Sequence, residues 1–335
     1  MAKSFNHFGI IGGGAWGTAL AVALLSAGRS VTLWAHEKEV VSEINQRHEN
    51  TTFLPGIKLG KSLKATQDLK DLADCDAWVL VTPAQHTRSI CEKVNSCAPH
   101  SAVPIIIASK GIEDKSTALL SDIVTSVLPQ HAIAVLSGPS FAIEVARGQP
   151  AALTLAMKDQ TVGETLCKVM ASPSFRLYLS DDVIGAQIGG AIKNVLAVAC
   201  GVIAGRNMGE NARAALITRG LAELVRLGTA LGGRAETLMG LSGLGDLVLT
   251  CSSSQSRNMS LGMALGQGKT LADILASRST ISEGVYTASA ALALAKKLKI
   301  EMPIVEAVDA VLNRKADIDT AIAGLMARPL KAETR

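Results

Sequence analysis

The sequence of 335 residues is poor in aromatic side chains and has no excess of one charge, and both shortages exclude classes of function. Phe, Trp and Tyr make up only 3% of the residues, which leaves few stacking platforms for a single-stranded nucleic acid. The net charge is +4 and the lysines and arginines are scattered, so the chain has no basic stripe. We therefore expect no nucleic-acid partner.

Patterns of metal ligands and disulfides are also missing. The six cysteines form no CxxC pair, which is typical of reduced thiols and predicts a cytoplasmic protein. The start of the chain has no cationic segment followed by a long apolar run, so no secretory signal is expected. The six histidines show no HExxH spacing, so no metal site is predicted. None follows His131, which restricts an acid–base catalyst in the second half to Lys, Asp, Glu, Cys or Tyr.

The first motif present is an apolar run at residues 7–11, followed by GGGAWG and a helical pattern. Gly12, Gly14 and Gly17 satisfy GxGxxG, in which the glycines permit a tight turn, close approach of a pyrophosphate, and close helix packing. A second strand, SVTLWA, follows at once. This order of strand, glycine turn, helix and strand predicts a dinucleotide-binding unit. His36 and Glu37 then stand where an acid binds the NAD ribose or a base accommodates the NADP phosphate, so the choice of cofactor stays open.

Further apolar runs at 77–82, 104–109 and 132–136 predict a parallel sheet that is buried on both faces. Segments 151–156 and 175–180 are interpreted as a hairpin-like extension of this sheet around a helix-like segment at 159–171. Ligands of such sheets bind beyond the carboxyl ends of the strands, where Lys110 and the Gly138–Ser140 turn fall. The alternatives are a solvated lysine and a rigid turn.

From residue 185 the pattern is helical almost throughout. We therefore predict an α/β chain, with a Rossmann-type doubly wound, mainly parallel sheet in residues 1–184 and an all-helical domain in residues 185–335. The predicted helices are 185–205, 211–231, 259–266, 270–277, 285–299, 303–314 and 317–326. The exception is the glycine- and serine-rich segment 240–258, which is predicted to be non-helical. Its Asp246, Thr250, Arg257 and Asn258 would suit a small hydroxylated phosphate, and a flexible surface loop is the alternative.

Lys193 is the single charge in the apolar stretch from Gly185 to Gly205. A membrane span is disfavoured, because a central lysine costs about 2.5 to 3.5 kcal/mol on insertion. Two interpretations remain, a core helix whose lysine snorkels to the surface and a cleft helix whose lysine transfers protons.

The chain resembles the bacterial type of glycerol-3-phosphate dehydrogenase that uses a soluble nicotinamide cofactor, from about residue 7 to about residue 325. The resemblance is carried by GGGAWGTALA, SKG at 109–111, SGPSFAIEVARGQP at 137–150, GGAIKNVLAVACGV at 189–202, GDLVLTC with SRN ending at 258, and SEG at 282–284. Three departures from the family are Ala15 in place of a serine, His36 in place of an arginine, and Ala204 in place of an acid.

The resemblance implies reversible reduction of dihydroxyacetone phosphate to sn-glycerol 3-phosphate with NADPH or NADH, and it slightly favours NADPH. The product would supply glycerophospholipid synthesis. It implies Lys193 as the proton-transferring residue and a possible homodimer through the helical domain. The implied substrate residues are Lys110, Gly138, Ser140, Lys193, Asp246, Thr250, Ser256, Arg257 and Asn258. The implied cofactor residues are Gly12, Gly14, Ala15, Trp16, Gly17, His36, Lys110, Ala142, Arg257, Ile281 and Glu283.

Two other functions stay open at this point. The first is a dehydrogenase of the same two-domain plan that acts on a 3-hydroxyacid or on ketopantoate, which would need a carboxylate site instead of a phosphate site. The second is a non-catalytic dinucleotide sensor, which would have little need of a lysine in an apolar helix.

Overall fold

The computed structural model describes residues 5–97, 102–277, 283–329 and 332. Within these ranges eight strands form one sheet in the order β3-β2-β1-β4-β5-β6-β7-β8. The strands are β1 His7–Ile11, β2 Ser30–Trp34, β3 Lys64–Thr66, β4 Ala77–Leu80, β5 Ile105–Ile107, β6 Ile133–Ser137, β7 Ala151–Met157 and β8 Phe175–Ser180. All neighbours pair in parallel except β6 and β7. The predicted Rossmann-type, mainly parallel sheet is confirmed.

The strand order reverses at β1, because β2 and β3 extend the sheet to one side and β4 to β8 extend it to the other. Ligands of doubly wound sheets bind at the carboxyl ends of the strands beside such a reversal. The glycine turn follows β1, and Lys110 lies just beyond β5, at this same edge. The fold therefore predicts a ligand site at the carboxyl ends of β1, β4 and β5.

The predicted hairpin-like arrangement of the last two strands is wrong. β7 and β8 pair in parallel, with Thr154 opposite Tyr178, and the antiparallel step lies between β6 and β7 instead. A helix at Gln160–Met170 connects β7 to β8 and supplies the long crossover that parallel strands require. An apolar run shows that a strand is buried but does not show its direction. The short edge strand β3 is not predicted at all, because the KAT sequence has no apolar run.

Helices cover both faces of the sheet and form nearly all of the described chain after residue 182. They are α1 Ala15–Ser26, α2 Lys38–Arg47, α3 Thr87–Cys97, α4 Leu120–Val127, α5 Ala142–Ala146, α6 Gln160–Met170, α7 Val183–Gly205, α8 Glu210–Ala230, α9 Ala235–Leu238, α10 Asp246–Cys251, α11 Arg257–Gly266, α12 Leu271–Ala276, α13 Glu283–Lys297, α14 Pro303–Asn313 and α15 Ile318–Met326. The helical second half is confirmed. The division into domains after residue 184 stays a prediction.

The prediction of a non-helical segment from 240 to 258 is wrong for its first half and for its last two residues, which begin α11. A π-helical turn spans Leu241–Gly245 and leads directly into α10, so the segment is helical up to Cys251. The glycines here serve close packing and not flexibility, since a Cβ on Gly243 would lie 1.8 Å from the carbonyl oxygen of Leu238. Composition alone does not separate these two uses of glycine.

The apolar helix α7 is the centre of the second half. It is the one helix in the described ranges that is long and apolar enough to cross a membrane, but 83% of that stretch is buried inside the protein. It packs against α8, α10, α11 and α13. A Cβ on Gly201 would lie 2.1 Å from the carbonyl oxygen of Met259, so the small residues of α7 allow α11 to approach its backbone. This burial identifies α7 as a core helix.

Candidate active site

The glycine turn after β1 contains two positions, Gly12 and Gly17, at which contacts within the protein leave no room for a side chain. Gly12 has a φ of +134°, and a Cβ there would lie 2.7 Å from the carbonyl oxygen of Val81. A Cβ on Gly17 would lie 1.9 Å from the carbonyl oxygen of Gly12. Gly14 differs, because a Cβ there would meet no atom within 4 Å. Gly14 caps the N-terminus of α1, so this open space lies where free N–H groups and the helix dipole attract a phosphate. The turn therefore fits a dinucleotide.

The other predicted cofactor residues occupy different parts of this edge. Ala15 and Trp16 begin α1, and the buried indole nitrogen of Trp16 has no hydrogen-bond partner within the described chain. Ala142 is the first residue of α5. His36 is exposed just beyond β2, where its ring lies 6.5 Å from that of Trp34. Ile281 lies outside the described residues.

Glu283, the first residue of α13, connects the helical half to the sheet. Its Oε1 accepts a hydrogen bond from the N–H of Ala84 at 3.1 Å, and Ala84 follows β4. Its Oε2 is buried and has no partner among the described residues. Burial raises the pKa of Glu283 to about 7, although the Ala84 hydrogen bond and the charge of Arg257 act in the opposite direction. An unsatisfied buried oxygen at this edge is available to a polar group of a cofactor.

Two lysines share one buried carboxylate between the two halves of the chain. Lys193 Nζ lies 2.5 Å from Asp246 Oδ1, and Lys110 Nζ lies 2.6 Å from Asp246 Oδ2. Asp246 is completely buried, and the Lys193 side chain is only 9% exposed. We call Lys110, Asp246 and Lys193 the two-lysine cluster. Since Lys193 does not reach the surface, the snorkelling interpretation is wrong.

The surroundings of Lys193 lower the pKa of its ammonium group towards neutral pH. Burial lowers the pKa of Lys193 to about 8, and the positive charge of Lys110 acts in the same direction. The carboxylate of Asp246 opposes both effects but does not overcome them. An amine with a pKa near the working pH can both donate and accept a proton.

The predicted Gly138–Ser140 turn lies directly beside this cluster. The carbonyl oxygen of Gly138 accepts hydrogen bonds from Lys110 Nζ at 3.3 Å and from Ser140 Oγ at 3.1 Å. Gly138 has a φ of +154°, and a Cβ there would lie 2.8 Å from the Cα of Leu153, so only glycine fits. The turn therefore brings Ser140 and Lys110 together.

The remaining predicted substrate residues lie on α10 and α11. Thr250 is buried one turn after Asp246 on α10. Asn258 donates a hydrogen bond to Asn194 at 2.9 Å and accepts one from the N–H of Gly284 at 3.1 Å. It thus joins α11 to α7 and α13.

Two further predicted substrate residues, Ser256 and Arg257, lie at the N-terminus of α11. Arg257 is exposed at the start of α11. Ser256 is used as the N-cap of that helix, because its side chain accepts the N–H of Met259 at 3.2 Å. Asn194 was not predicted, although its position directly after Lys193 in the sequence could have drawn attention to it.

This combination of a dinucleotide turn and a buried lysine at the same edge of the sheet defines a nicotinamide-dependent dehydrogenase. Two family models match the chain, described as the N-terminus and the C-terminus of NAD-dependent glycerol-3-phosphate dehydrogenase, over residues 7–163 and 182–323. The chain belongs to the NAD-dependent glycerol-3-phosphate dehydrogenase family.

Individual relatives agree with this assignment over the full length. A protein of Parvibaculum lavamentivorans named glycerol-3-phosphate dehydrogenase (NAD(P)+) is 54% identical over 336 residues, which cover 100% of each chain. One of the same name from Caulobacter vibrioides is 54% identical over 332 residues, covering 98% of this chain and 99% of its own. A crystal structure of glycerol-3-phosphate dehydrogenase from Coxiella burnetii is 38% identical, with a TM-score of 0.93 and coverage of 96% and 99%. The predicted family, NAD(P)-dependent enzyme class and NAD or NADP cofactor are confirmed.

Proposed function

We propose that the chain reversibly reduces dihydroxyacetone phosphate to sn-glycerol 3-phosphate with NADH or NADPH. The observation that carries this proposal is the two-lysine cluster, in which a lysine with a pKa of about 8 lies buried beside the cofactor edge of the sheet. Ketone reduction needs a proton donor at the carbonyl oxygen, and alcohol oxidation needs a base at the same place. Lys193 meets both needs, because its two protonation states lie close in free energy near neutral pH.

Asp246 and Lys110 allow Lys193 to change its charge inside the protein. A reduced nicotinamide cofactor held by the glycine turn of Gly12, Gly14 and Gly17 would supply the hydride for reduction of the ketone. Lys193 Nζ donates its proton to the developing alkoxide oxygen and becomes a neutral amine. The carboxylate of Asp246 is not left unpaired at that moment, since Lys110 still holds its other oxygen at 2.6 Å. In the oxidative direction Lys193 takes the hydroxyl proton and returns to the ion pair.

Groups on α11 are proposed to bind the substrate phosphate. Arg257 supplies a guanidinium at the start of α11, where the helix dipole also attracts an anion. Asn258 follows it and is held by Asn194, which adjoins Lys193. Binding of the remote phosphate would then orient the reacting carbonyl against Lys193.

An absorbance assay at the nicotinamide band tests this function. The purified chain is mixed with NADPH or NADH and with dihydroxyacetone phosphate, and oxidation of the cofactor is followed. We expect rapid turnover with dihydroxyacetone phosphate and none with ketopantoate or a 3-ketoacid. Turnover with either of the latter alone would favour the related dehydrogenase class, and cofactor binding without turnover would favour a sensor.

The cellular setting and the assembly belong to the same proposal. We propose that the product supplies glycerophospholipid synthesis in the cytoplasm, that residues 1–184 and 185–335 act as nucleotide-binding and substrate-binding domains, and that the chain forms a homodimer. Family membership supports these points, and size measurement in solution tests the last.

A further inference from the structure

A buried amide from outside the glycine motif holds the turn that faces the cofactor. Asn50 lies beyond the end of α2 and is only 1% exposed. Its Nδ2 donates to the carbonyl oxygen of Gly13 at 2.8 Å and to Thr18 Oγ1 at 2.8 Å. Its Oδ1 accepts the N–H of Phe53 at 3.2 Å. Both donor hydrogens of this amide are therefore directed at the glycine turn and at α1.

Thr18 extends the same contacts to the next peptide group. Its hydroxyl donates to the carbonyl oxygen of Gly14 at 3.0 Å, while it accepts the hydrogen bond from Asn50. The carbonyl groups of Gly13 and Gly14 are thus both held from the protein side, by two buried side chains that contact each other.

Peptide geometry converts this anchoring into an orientation of N–H groups. In a trans peptide the C=O and the following N–H point in opposite directions. If the carbonyls of Gly13 and Gly14 are held inward, the N–H groups of Gly14 and Ala15 must point outward. These amides belong to the N-terminus of α1, where N–H groups have no partner within the helix. A Cβ at Gly14 would also meet open space, so the turn has room for a phosphate beside it.

We propose that Asn50, acting through Thr18, Gly13 and Gly14, is a positioning residue for binding of the cofactor pyrophosphate. It does not touch the cofactor; it fixes the direction of the two amides that do. This inference rests on the nicotinamide cofactor of the proposed function. The competing explanation is local, namely that Asn50 only stabilises its own loop through the N–H of Phe53.

The substitution Asn50→Asp separates these explanations. An aspartate keeps an oxygen for the N–H of Phe53 but replaces both donor hydrogens with an acceptor that faces the carbonyl of Gly13. The matched control is Asn45→Asp, because Asn45 also donates to a backbone carbonyl, that of Ala65, and accepts the N–H of the same residue, both at 2.9 Å. That pair of hydrogen bonds joins α2 to β3 and does not involve the glycine turn.

The experiment measures the Kd of ADP-ribose, which has the pyrophosphate but no nicotinamide, by titration calorimetry. We expect Asn50→Asp to weaken ADP-ribose binding by about tenfold or more, and Asn45→Asp to change it by less than about twofold. With cofactor at saturation, the KM for dihydroxyacetone phosphate should stay at the wild-type value in both variants. Thr18→Val removes the hydroxyl that accepts from Asn50 and donates to Gly14, and it adds no charge. We expect this variant to weaken ADP-ribose binding as well.

Two results would overturn the inference. One is an ADP-ribose Kd in Asn50→Asp and Thr18→Val equal to that of the wild type, and the other is an equal loss in Asn45→Asp. Wild-type binding of ADP-ribose is measured alongside, so that the two proposals fail separately. If the wild type binds ADP-ribose and the variants bind it equally well, only the role of Asn50 is wrong. If the wild type does not bind ADP-ribose, the assignment of a nicotinamide cofactor is wrong, and the role of Asn50 in binding it is wrong too.

Discussion

Replacing Asp246 by asparagine tests how the two-lysine cluster sets the titration of Lys193. The change removes a completely buried negative charge that lies 2.5 Å from Lys193 and 2.6 Å from Lys110. Both ammonium groups then lose their counter-ion, and the pKa of Lys193, already lowered to about 8, must fall further. Removing one partner of a buried ion pair costs about 3–5 kcal/mol, and one pKa unit corresponds to about 1.4 kcal/mol.

From these magnitudes we expect the pKa of Lys193 to fall by at least about two units in Asp246→Asn. At pH 7 the protonated fraction of Lys193 would then drop from about nine-tenths to about one-tenth. With the loss of positioning added, kcat for ketone reduction at pH 7 should decrease about 10- to 100-fold. Activity should be partly recovered at lower pH, because Lys193 is protonated there.

The assay is the dependence of kcat for dihydroxyacetone phosphate reduction on pH, at saturating cofactor. In the wild type kcat should fall as the pH rises through about 8, where Lys193 loses its proton. Asp309→Asn is the matched control, because Asp309 is also a buried carboxylate with a basic partner. It pairs with Arg314 at 3.0 Å, but it lies on α14. If kcat of Asp246→Asn depends on pH as it does in the wild type, Asp246 does not set the titration of Lys193.

Three further predictions concern other parts of the molecule. Arg257→Ala should raise the KM for dihydroxyacetone phosphate by about tenfold or more through loss of a charge-assisted contact, and steady-state kinetics with an unchanged KM would remove it from the phosphate site. Burial raises the pKa of Glu223 to about 7, so the folded state binds a proton more tightly than the unfolded state. Relative to Glu223→Gln, the wild type should therefore lose up to about 3 kcal/mol of unfolding free energy between pH 5 and pH 8, and urea unfolding with a constant difference would contradict this. In Gly189→Ala the new Cβ would lie 2.1 Å from the carbonyl oxygen of Ser242, which precedes α10, so the dependence of kcat on pH should shift. In Gly205→Ala the new Cβ would lie 2.3 Å from the carbonyl oxygen of Met263, and this change should only destabilise the fold.

The sheet could largely be predicted because its information is local. Apolar runs such as 104–109 are buried on both faces, and burial of that kind leaves a direct trace in the sequence. The direction of β8 leaves no such trace, since it depends on which neighbour the strand meets after α6. The helical turn at 241–251 was missed for a related reason, because its glycines pack against backbone atoms that lie elsewhere.

The candidate site, like the fold, could be predicted only in part from the sequence. Lys193 stood out as an isolated charge in an apolar helix, and Asp246 was identified among the candidate polar residues. Nothing in the sequence indicated that Asp246 would lie between Lys193 and Lys110, because these three residues come from α10, α7 and the end of β5. Asn50 was missed altogether, since a buried asparagine after a helix looks like any other loop residue. Contacts across long sequence separations become visible only in the folded chain.

Lys193 is proposed to transfer the proton to and from the substrate oxygen. This role is tested most directly by kcat of Lys193→Ala for reduction of dihydroxyacetone phosphate, with the Kd for NADPH measured on the same preparation. We expect kcat to fall by about 10²–10⁴-fold while the Kd for NADPH stays close to the wild-type value. A kcat equal to that of the wild type would contradict it.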